Sequence, residues 1–287
     1  MTLKDRNLYF VGGVVRDEML GIPSFDTDYC YEGNAIEFFK NLNVIKTNPD
    51  FGTVKVLDEG KAIDIASTRM EEYPQKGHLP KVTNIGCPLK DDLIRRDFTI
   101  NAMAKRTTDG EIIDYYGGKS DIENKVLRVL HNNSFIDDPT RIIRGLKFSV
   151  RFSFELELET KKLQDEYLRN INYDMSYHRV KKELIETFNL NRGDAFDKFI
   201  DEGIYKLLGK NQAIPKIKGK AIENTIKDTP YTPWLIYMSF FDLSNLELTR
   251  QEKRILDWAN RLEHEKPTNN TPKESILIYE LKNEKYI

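Results

Sequence analysis

The hydrophobic period of this chain changes once along its length, and that change constrains the fold more than any single motif. Up to about Tyr115, short β-rich runs (Leu8–Val11, Thr53–Leu57, Ala62–Ala66) alternate with helical stretches (Val14–Leu20, Ala35–Asn41). After Ser134 the strand patterns fade, and helical periodicity holds over 139–151, 159–170, 176–188 and 250–264. An α/β module followed by an all-helical part is expected, with the turn formers Asp114-Tyr115-Tyr116-Gly117-Gly118 at the junction. At 287 residues the chain exceeds one compact core and has room for two or three modules, and 15 Phe and 14 Tyr supply the material to fill them. The net charge of −2 gives no global positive field, so a nucleic-acid partner must be met by local basic patches. Cys30 and Cys87 lack the spacing of a disulfide framework or thiolate zinc site, which fits a reducing cytoplasm. The apolar run Leu8–Val15 is broken by Gly12 and Gly13 and followed by Arg16 and Asp17, so it reads as neither a secretion signal nor a membrane span.

Leu8-Tyr9-Phe10-Val11 enters the pair Gly12-Gly13 and then a helix carrying Arg16 and Asp17. Two readings fit: a tight turn that needs glycine dihedrals, or a cradle of backbone N–H groups for a triphosphate with Arg16 beside it. Asp26-Thr27-Asp28 follows. Residues i and i+2 of a strand share a face, so Asp26 and Asp28 would project together and repel unless a divalent cation lies between them. Magnesium takes oxygen ligands, commonly one or two carboxylates plus substrate phosphates, and a two-metal clamp suits in-line displacement at phosphorus. The alternative is an Asx-rich turn. A third acid, Asp64, sits inside the apolar run Ala62–Ala66. Turned inward it would need a metal or an activated hydroxyl as partner; otherwise it is an exposed acid on an edge strand.

The segment Asp92-Leu93-Ile94-Arg95-Arg96-Asp97-Phe98-Thr99-Ile100-Asn101-Ala102-Met103-Ala104 offers forked donors for phosphate at Arg95 and Arg96, and an amide for a ribose hydroxyl at Asn101. A solvated Arg-Arg-Asp turn is the other reading. In Asp137-Asp138-Pro139-Thr140-Arg141-Ile142-Ile143-Arg144-Gly145-Leu146-Lys147-Phe148, Pro139 suits the first position of a helix. Ile142, Ile143, Leu146 and Val150 form its apolar stripe, and Arg141, Arg144, Lys147 and Arg151 a basic face. Asp138 and Arg141 are neighbours on that surface and present an acceptor beside a fork of donors. Cytosine and adenine each carry an exocyclic amine next to a ring acceptor nitrogen, while uracil and guanine reverse that polarity, so such a pair would choose C and A. Alternatively, Asp138 caps the helix and pairs with Arg141. His78, His131, His178 and His264 are scattered without metal-ligand spacing.

The order Gly12-Gly13, Arg16-Asp17, Asp26-x-Asp28 and a lone strand Asp64 resembles the polymerase β-like nucleotidyltransferase superfamily. More narrowly, it is similar to the first motif of class II tRNA nucleotidyltransferases (CCA-adding enzymes) and bacterial poly(A) polymerases. Asp92–Ala104 resembles that family's second motif, associated with the sugar and phosphates of the incoming nucleotide, and Asp114–Asp121 resembles its head-to-neck link. Asp137–Phe148 is similar to its amino-acid template, usually Glu-Asp-x-x-Arg, with Asp137 replacing Glu and Lys147 standing where Arg is usual. Ser176-Tyr177-His178-Arg179 resembles a helix-start motif that commonly has Glu at the position of His178, and a structural role is expected for it.

The resemblance implies an α/β nucleotidyltransferase head over 1–115, a helical neck with a nucleotide-base template over 116–175 and a helical body over 176–287, with the usual tail domain reduced or absent. It implies an enzyme that adds C and A to tRNA 3′ ends from CTP and ATP, releasing pyrophosphate. Asp26 and Asp28 would hold two Mg²⁺ ions and, with Asp64, carry catalysis. Gly12, Gly13, Arg16, Asp17, Arg95, Arg96, Asp97, Asn101, Asp138, Arg141, Arg144 and Lys147 would bind the nucleotide. Residues 69–89 match a flexible loop associated with switching from C to A; its length is retained, but His78-Leu79-Pro80 stands where relatives tend to show Arg-Arg-Pro. A CC-adding or A-adding specialist, a poly(A) polymerase, and a catalytically silent RNA-binding protein on the same scaffold are the alternatives.

Overall fold

The computed structural model describes residues 3–24 and 27–283. The chain divides into two compact units, Met1–Asp137 with Glu155–Thr160, and Asp138–Phe154 with Lys161–Ile287.

The first unit opens with β1 (Leu8–Val11), α1 (Gly13–Met19), β2 (Tyr29–Tyr31) and α2 (Ala35–Phe39). Next come β3 (Val44–Asn48), β4 (Thr53–Asp58), β5 (Lys61–Ser67), and the separate hairpin β6 (Arg69–Glu72) and β7 (Lys81–Ile85). After α3 (Leu89–Ile94) the chain continues through β8 (Met103–Arg106), β9 (Ile112–Asp114), α4 (Gly118–Glu123), β10 (Val126–Leu127) and α5 (Ser134–Asp137). A seven-stranded sheet has the order β3-β4-β5-β2-β1-β8-β9, with β2 and β5 parallel and the other pairs antiparallel. Side chains alternate across such a sheet, and both faces are used. Leu8, Tyr29, Tyr31, Val54, Val56 and Ile65 pack with Ala35 and Phe39 of α2 on one face. On the other, Tyr9, Val11, Cys30, Ala102 and Ala104 pack with Leu89 and Leu93 of α3.

This unit does not stop at the Asp114–Gly118 turn, where the sequence suggested a boundary at 115. Asp114 instead accepts the backbone N–H groups of Tyr116, Gly118 and Lys119 and so starts α4. Thr99 Oγ1 then donates to Asp121 Oδ2 (2.6 Å), the Thr99 N–H donates to the Arg128 carbonyl, and Phe98 bridges Val129. These bonds stitch residues 118–129 to the sheet module. The two-residue strand β11 (Glu155–Leu156) pairs in parallel with β10.

The second unit holds α6 (Thr140–Phe152), most of α7 (Leu158–Arg169), α8 (Tyr177–Phe188), α9 (Gly193–Asp201), α10 (Gly219–Ile226), α11 (Pro233–Met238), α12 (Arg250–Arg261) and α13 (Lys273–Lys282). Its core is aromatic: Phe188, Phe196, Phe199, Tyr237 and Phe241 meet edge-on or tilted, with centroids 5.3–5.9 Å apart, an arrangement favoured by the ring quadrupole. The starts of α9 and α10 touch backbone to backbone, since a Cβ on Gly193 would lie 2.5 Å from the Gly219 carbonyl carbon. No helix among the described residues is long and apolar enough to cross a membrane.

Candidate active site

The strand register brings two of the expected acids together. Tyr29 of β2 lies opposite Ile65 of β5 in a parallel pair, and the Val11 N–H extends the pairing on the other side by donating to the Asp28 carbonyl (3.1 Å). One residue before the Tyr29–Ile65 pair, Asp28 falls beside Asp64, on the α3 face that Cys30 and Ala66 share. Asp26 lies outside the described residues. Asp64 is neither an inward carboxylate nor an edge-strand acid. Its strand is third in the sheet, its side chain is 67% exposed, and it pairs with Lys55 Nζ at 3.0 Å. Asp28 is also exposed. Neighbouring strands run about 4.8 Å apart, so the two carboxylates present hard oxygen donors side by side in water. That donor set fits a divalent cation of the magnesium kind.

At the end of β1 the chain turns through Gly12, whose φ is +70°. A Cβ there would stand 3.0 Å from Arg96 Nη1. Glycine is therefore needed twice over, for its dihedral and to let a guanidinium approach the backbone. Arg96 Nη2 bonds Asp92 Oδ2 at 3.0 Å, and its Nε is buried without a hydrogen-bond partner. Asp92 is fully buried and also accepts two bonds from Arg95 (2.8 and 3.0 Å) and the N–H of Arg69 (3.1 Å). Burial opposes its ionisation most, yet the charges and hydrogen bonds of Arg96 and Arg95 together hold the carboxyl below its usual range. Glu71 completes the cluster, accepting from Arg95 (3.1 Å) and Arg69 (2.7 Å). Three guanidinium groups face two carboxylates, which leaves a positive charge for an anion.

Arg16, Asp17, Asn101 and Asp97 form a second network on the same module. Arg16 bonds Asp17 Oδ1 (2.6 and 2.9 Å) and Asn101 Oδ1 (2.6 Å), and Asn101 Nδ2 donates to Asp97 Oδ1 (2.9 Å). All four residues are buried. Arg16 and Arg95, expected as phosphate donors, are here bonded to carboxylates: Arg16 to Asp17, and Arg95 to Asp92 and Glu71. Arg96 lies beside Gly12 and the Arg16 guanidinium beside Gly13.

In the second unit, Asp138 is only 5% exposed and Arg141 3%. Asp138 Oδ1 accepts the Thr140 N–H (3.1 Å) and hydroxyl (2.6 Å), and Oδ2 forms an ion pair with Arg179 of α8. Asp138 thus makes the helix-start contact expected of a cap, but reaches Arg179 as well. The basic face of α6 is only partly solvated: Arg151 is exposed, but Arg141 and Lys147 are buried. Lys147 is clamped between Glu183 (2.9 Å) and Glu186 (2.6 Å) of α8, and Arg144 bonds Glu183 at 3.3 Å. Lys147, expected to grip phosphate, is bonded here to these acids. Sequence reasoning missed Asp92, Glu71 and Arg179 as site residues. Asp92 had a readable signal, since it stands three and four residues before Arg95 and Arg96 across the end of a helix; Glu71 and Arg179 are brought in only by tertiary packing.

Residues 8–128 match the family model described as the poly A polymerase head domain. The match lies within the first unit. The chain is 47% identical over 163 residues to an A-adding tRNA nucleotidyltransferase of Aquifex aeolicus, a match covering 54% of this chain and 20% of the relative. It is 40% identical over 190 residues to an A-adding tRNA nucleotidyltransferase of Halalkalibacterium halodurans, covering 62% and 44%. The chain thus spans less than half the length of these curated relatives. A solved CCA-adding enzyme in an apo form superposes with a TM-score of 0.79 at 27% identity, covering 96% of this chain and 75% of that one. The fold is accordingly a nucleotidyltransferase head followed by a helical part.

Proposed function

We propose that this chain is a template-independent tRNA nucleotidyltransferase that adds C and then A to tRNA 3′ ends from CTP and ATP. The observation that supports this most is the register placing Asp28 and Asp64 side by side, next to a strand carrying the Gly12–Arg96 cradle. Asp28, with Asp26, would hold magnesium, which when bound neutralises triphosphate charge and lowers the pKa of the primer 3′-hydroxyl. Arg96 and Gly12 receive the phosphates, Arg95, Arg16, Asp92 and Glu71 hold the cradle in shape, and Asp64 positions the attacking hydroxyl. In the second unit, Asp138 and Arg141 are assigned to base choice, with Thr140 and Arg179 fixing the Asp138 carboxylate. Both cysteines are free and buried, which suits a cytoplasmic setting.

The A-adding names of the two sequence relatives favour a second reading, an enzyme that adds only the terminal A. Single-nucleotide extension separates the two. Transcripts ending before CCA, after C and after CC are each incubated with Mg²⁺ and one labelled NTP at a time. Two C additions followed by one A are expected; A addition to the CC transcript alone would establish the second reading, and no extension of any transcript would remove both.

A further inference from the structure

On the far side of Asp64 from the glycine turn, the residues in register are lysines. Lys46 of β3 lies opposite Lys55 of β4, and Lys55 lies opposite Asp64 of β5. One cross-strand row therefore reads Lys46, Lys55, Asp64, Asp28. Their strand neighbours Val54, Val56 and Ile65 are buried against α2 on the other face, so by alternation this row faces away from that core. Asn48 and Thr53, the next pair on the same face, sit beside it. Together with Thr47 these residues line a notch of about 190 Å³ that has Asp64 at one side.

Two lysines directly opposite each other on adjacent strands repel. Lys55 is relieved in part by its ion pair with the half-open Asp64, and Lys46 extends from an exposed position. A notch offering two ammonium groups, the Thr53 hydroxyl and the Asn48 amide on one face suits an oxyanion. The phosphates of an incoming nucleotide have their own cradle on the other side of the acids. In an in-line displacement the attacking oxygen and the leaving group lie on opposite sides of the phosphorus. The chain that supplies the attacking hydroxyl must then approach from the β3–β4 side.

We propose that this notch holds the sugar-phosphate backbone of the RNA 3′ end, with Lys46 and Lys55 on its phosphate oxygens. The inference rests on the nucleotidyltransferase reading and adds where the primer lies. In the absence of RNA, Asp64 stands in for phosphate on Lys55. When RNA enters, phosphate takes over the ammonium and the Asp64 carboxylate turns to the 3′-hydroxyl. Lys46 and Lys55 are binding residues on this view.

Two readouts on the full chain test this: anisotropy of a labelled single-stranded oligoribonucleotide ending in CC, and steady-state extension of tRNA transcripts. In Lys46→Ala, Lys55→Ala and the double variant, the oligonucleotide Kd and the KM for RNA should rise roughly ten-fold per lysine, as for a lost charged hydrogen bond. The slope of log affinity against log salt should become shallower by about 0.7 for each lost contact. The KM for ATP should not change, Lys55→Arg should restore RNA binding, and Lys61→Ala, at the far end of β5, should behave as wild type. Wild-type oligonucleotide affinity and RNA KM in the double variant would overturn the proposal and leave the nucleotidyltransferase reading standing. Lysine-dependent oligonucleotide binding by a protein that extends no tRNA would uphold the notch and remove that reading.

Discussion

Both oxygens of the Asp138 carboxylate are engaged, Oδ2 by Arg179 and Oδ1 by the N–H and hydroxyl of Thr140. If Asp138 chooses the base, as proposed, it does so from a position that Thr140 and Arg179 of α8 fix. Arg179→Ala should therefore relax the choice among the four NTPs while leaving addition itself in place. A bidentate base contact is worth about 1–3 kcal/mol of discrimination, so the preference for CTP and ATP over UTP and GTP should fall by about ten- to a hundred-fold in single-nucleotide incorporation. An unchanged preference would show that Arg179 only packs α8. Asp92 acts differently, as the buried anion between Arg95 and Arg96. Its folded pKa is depressed, so its contribution to stability is complete above the ordinary carboxylate value of about 3.9 and is lost as pH falls through the lower folded value. Asp92→Asn should cost about 3–5 kcal/mol at pH 7, as for a buried pair that loses one partner. The gap to wild type in urea unfolding should narrow steadily below about pH 4. A gap independent of pH would mean that shape and not charge holds the cluster. At this scale strand alternation suggested pairing Asp26 with Asp28, whereas the neighbour of Asp28 across the sheet, Asp64, is set by the β2–β5 register, and the bonding of Arg16 and Arg95 to acids depends on which carboxylates folding brings within reach.

Elements with a long apolar period were legible and short polar ones were not. The periodicity over 139–151, 159–170, 176–188 and 250–264 corresponds to α6, α7, α8 and α12 within three residues at each end, since each must bury one stripe whatever its neighbours do. The strands β3, β6 and β7 alternate weakly and are mostly exposed; only their ladder partners define them. The start of α6 moved by one residue. Pro139 takes the cap position instead of the first turn, because the Asp138 carboxylate bonds back to Thr140. A capping box stands at the start of α12. Thr249 accepts from the Glu252 N–H (3.2 Å), and Glu252 reaches back to the Thr249 N–H (2.6 Å) while also pairing with Lys181 (2.7 Å). Thr249→Ala should destabilise the protein by about 1 kcal/mol in thermal or urea unfolding and leave nucleotide addition at the wild-type rate. A loss of turnover without loss of stability would give α12 a part in the reaction.

The division of the chain into modules was the least legible feature, because compactness does not follow sequence order. The change of hydrophobic period and the Asp114–Gly118 turn pointed to a boundary near 115, while the first compact unit runs to Asp137 and includes Glu155–Thr160. That returning segment is bound by few groups, and each carries weight. β11 pairs with β10, Glu157 lies 3.4 Å from Arg128, and the buried hydroxyl of Thr160 accepts the N–H of Val129 at 3.2 Å. Val129 in turn bridges Phe98 in the second motif, so a side chain 31 residues further along the chain satisfies a backbone donor next to the arginine cluster. Thr160→Val keeps the shape and removes the acceptor, leaving a buried N–H unpaired at a cost of about 1–3 kcal/mol. The loss should be local before it is global. Amides of Val126–Val129 and Phe98–Thr99 should exchange faster in the full-length variant, while those of α9 and α11 keep wild-type protection. Uniform acceleration across all of these amides would show that the two units unfold together, and no change in Val129 would show that Glu155–Thr160 is not integral to the first.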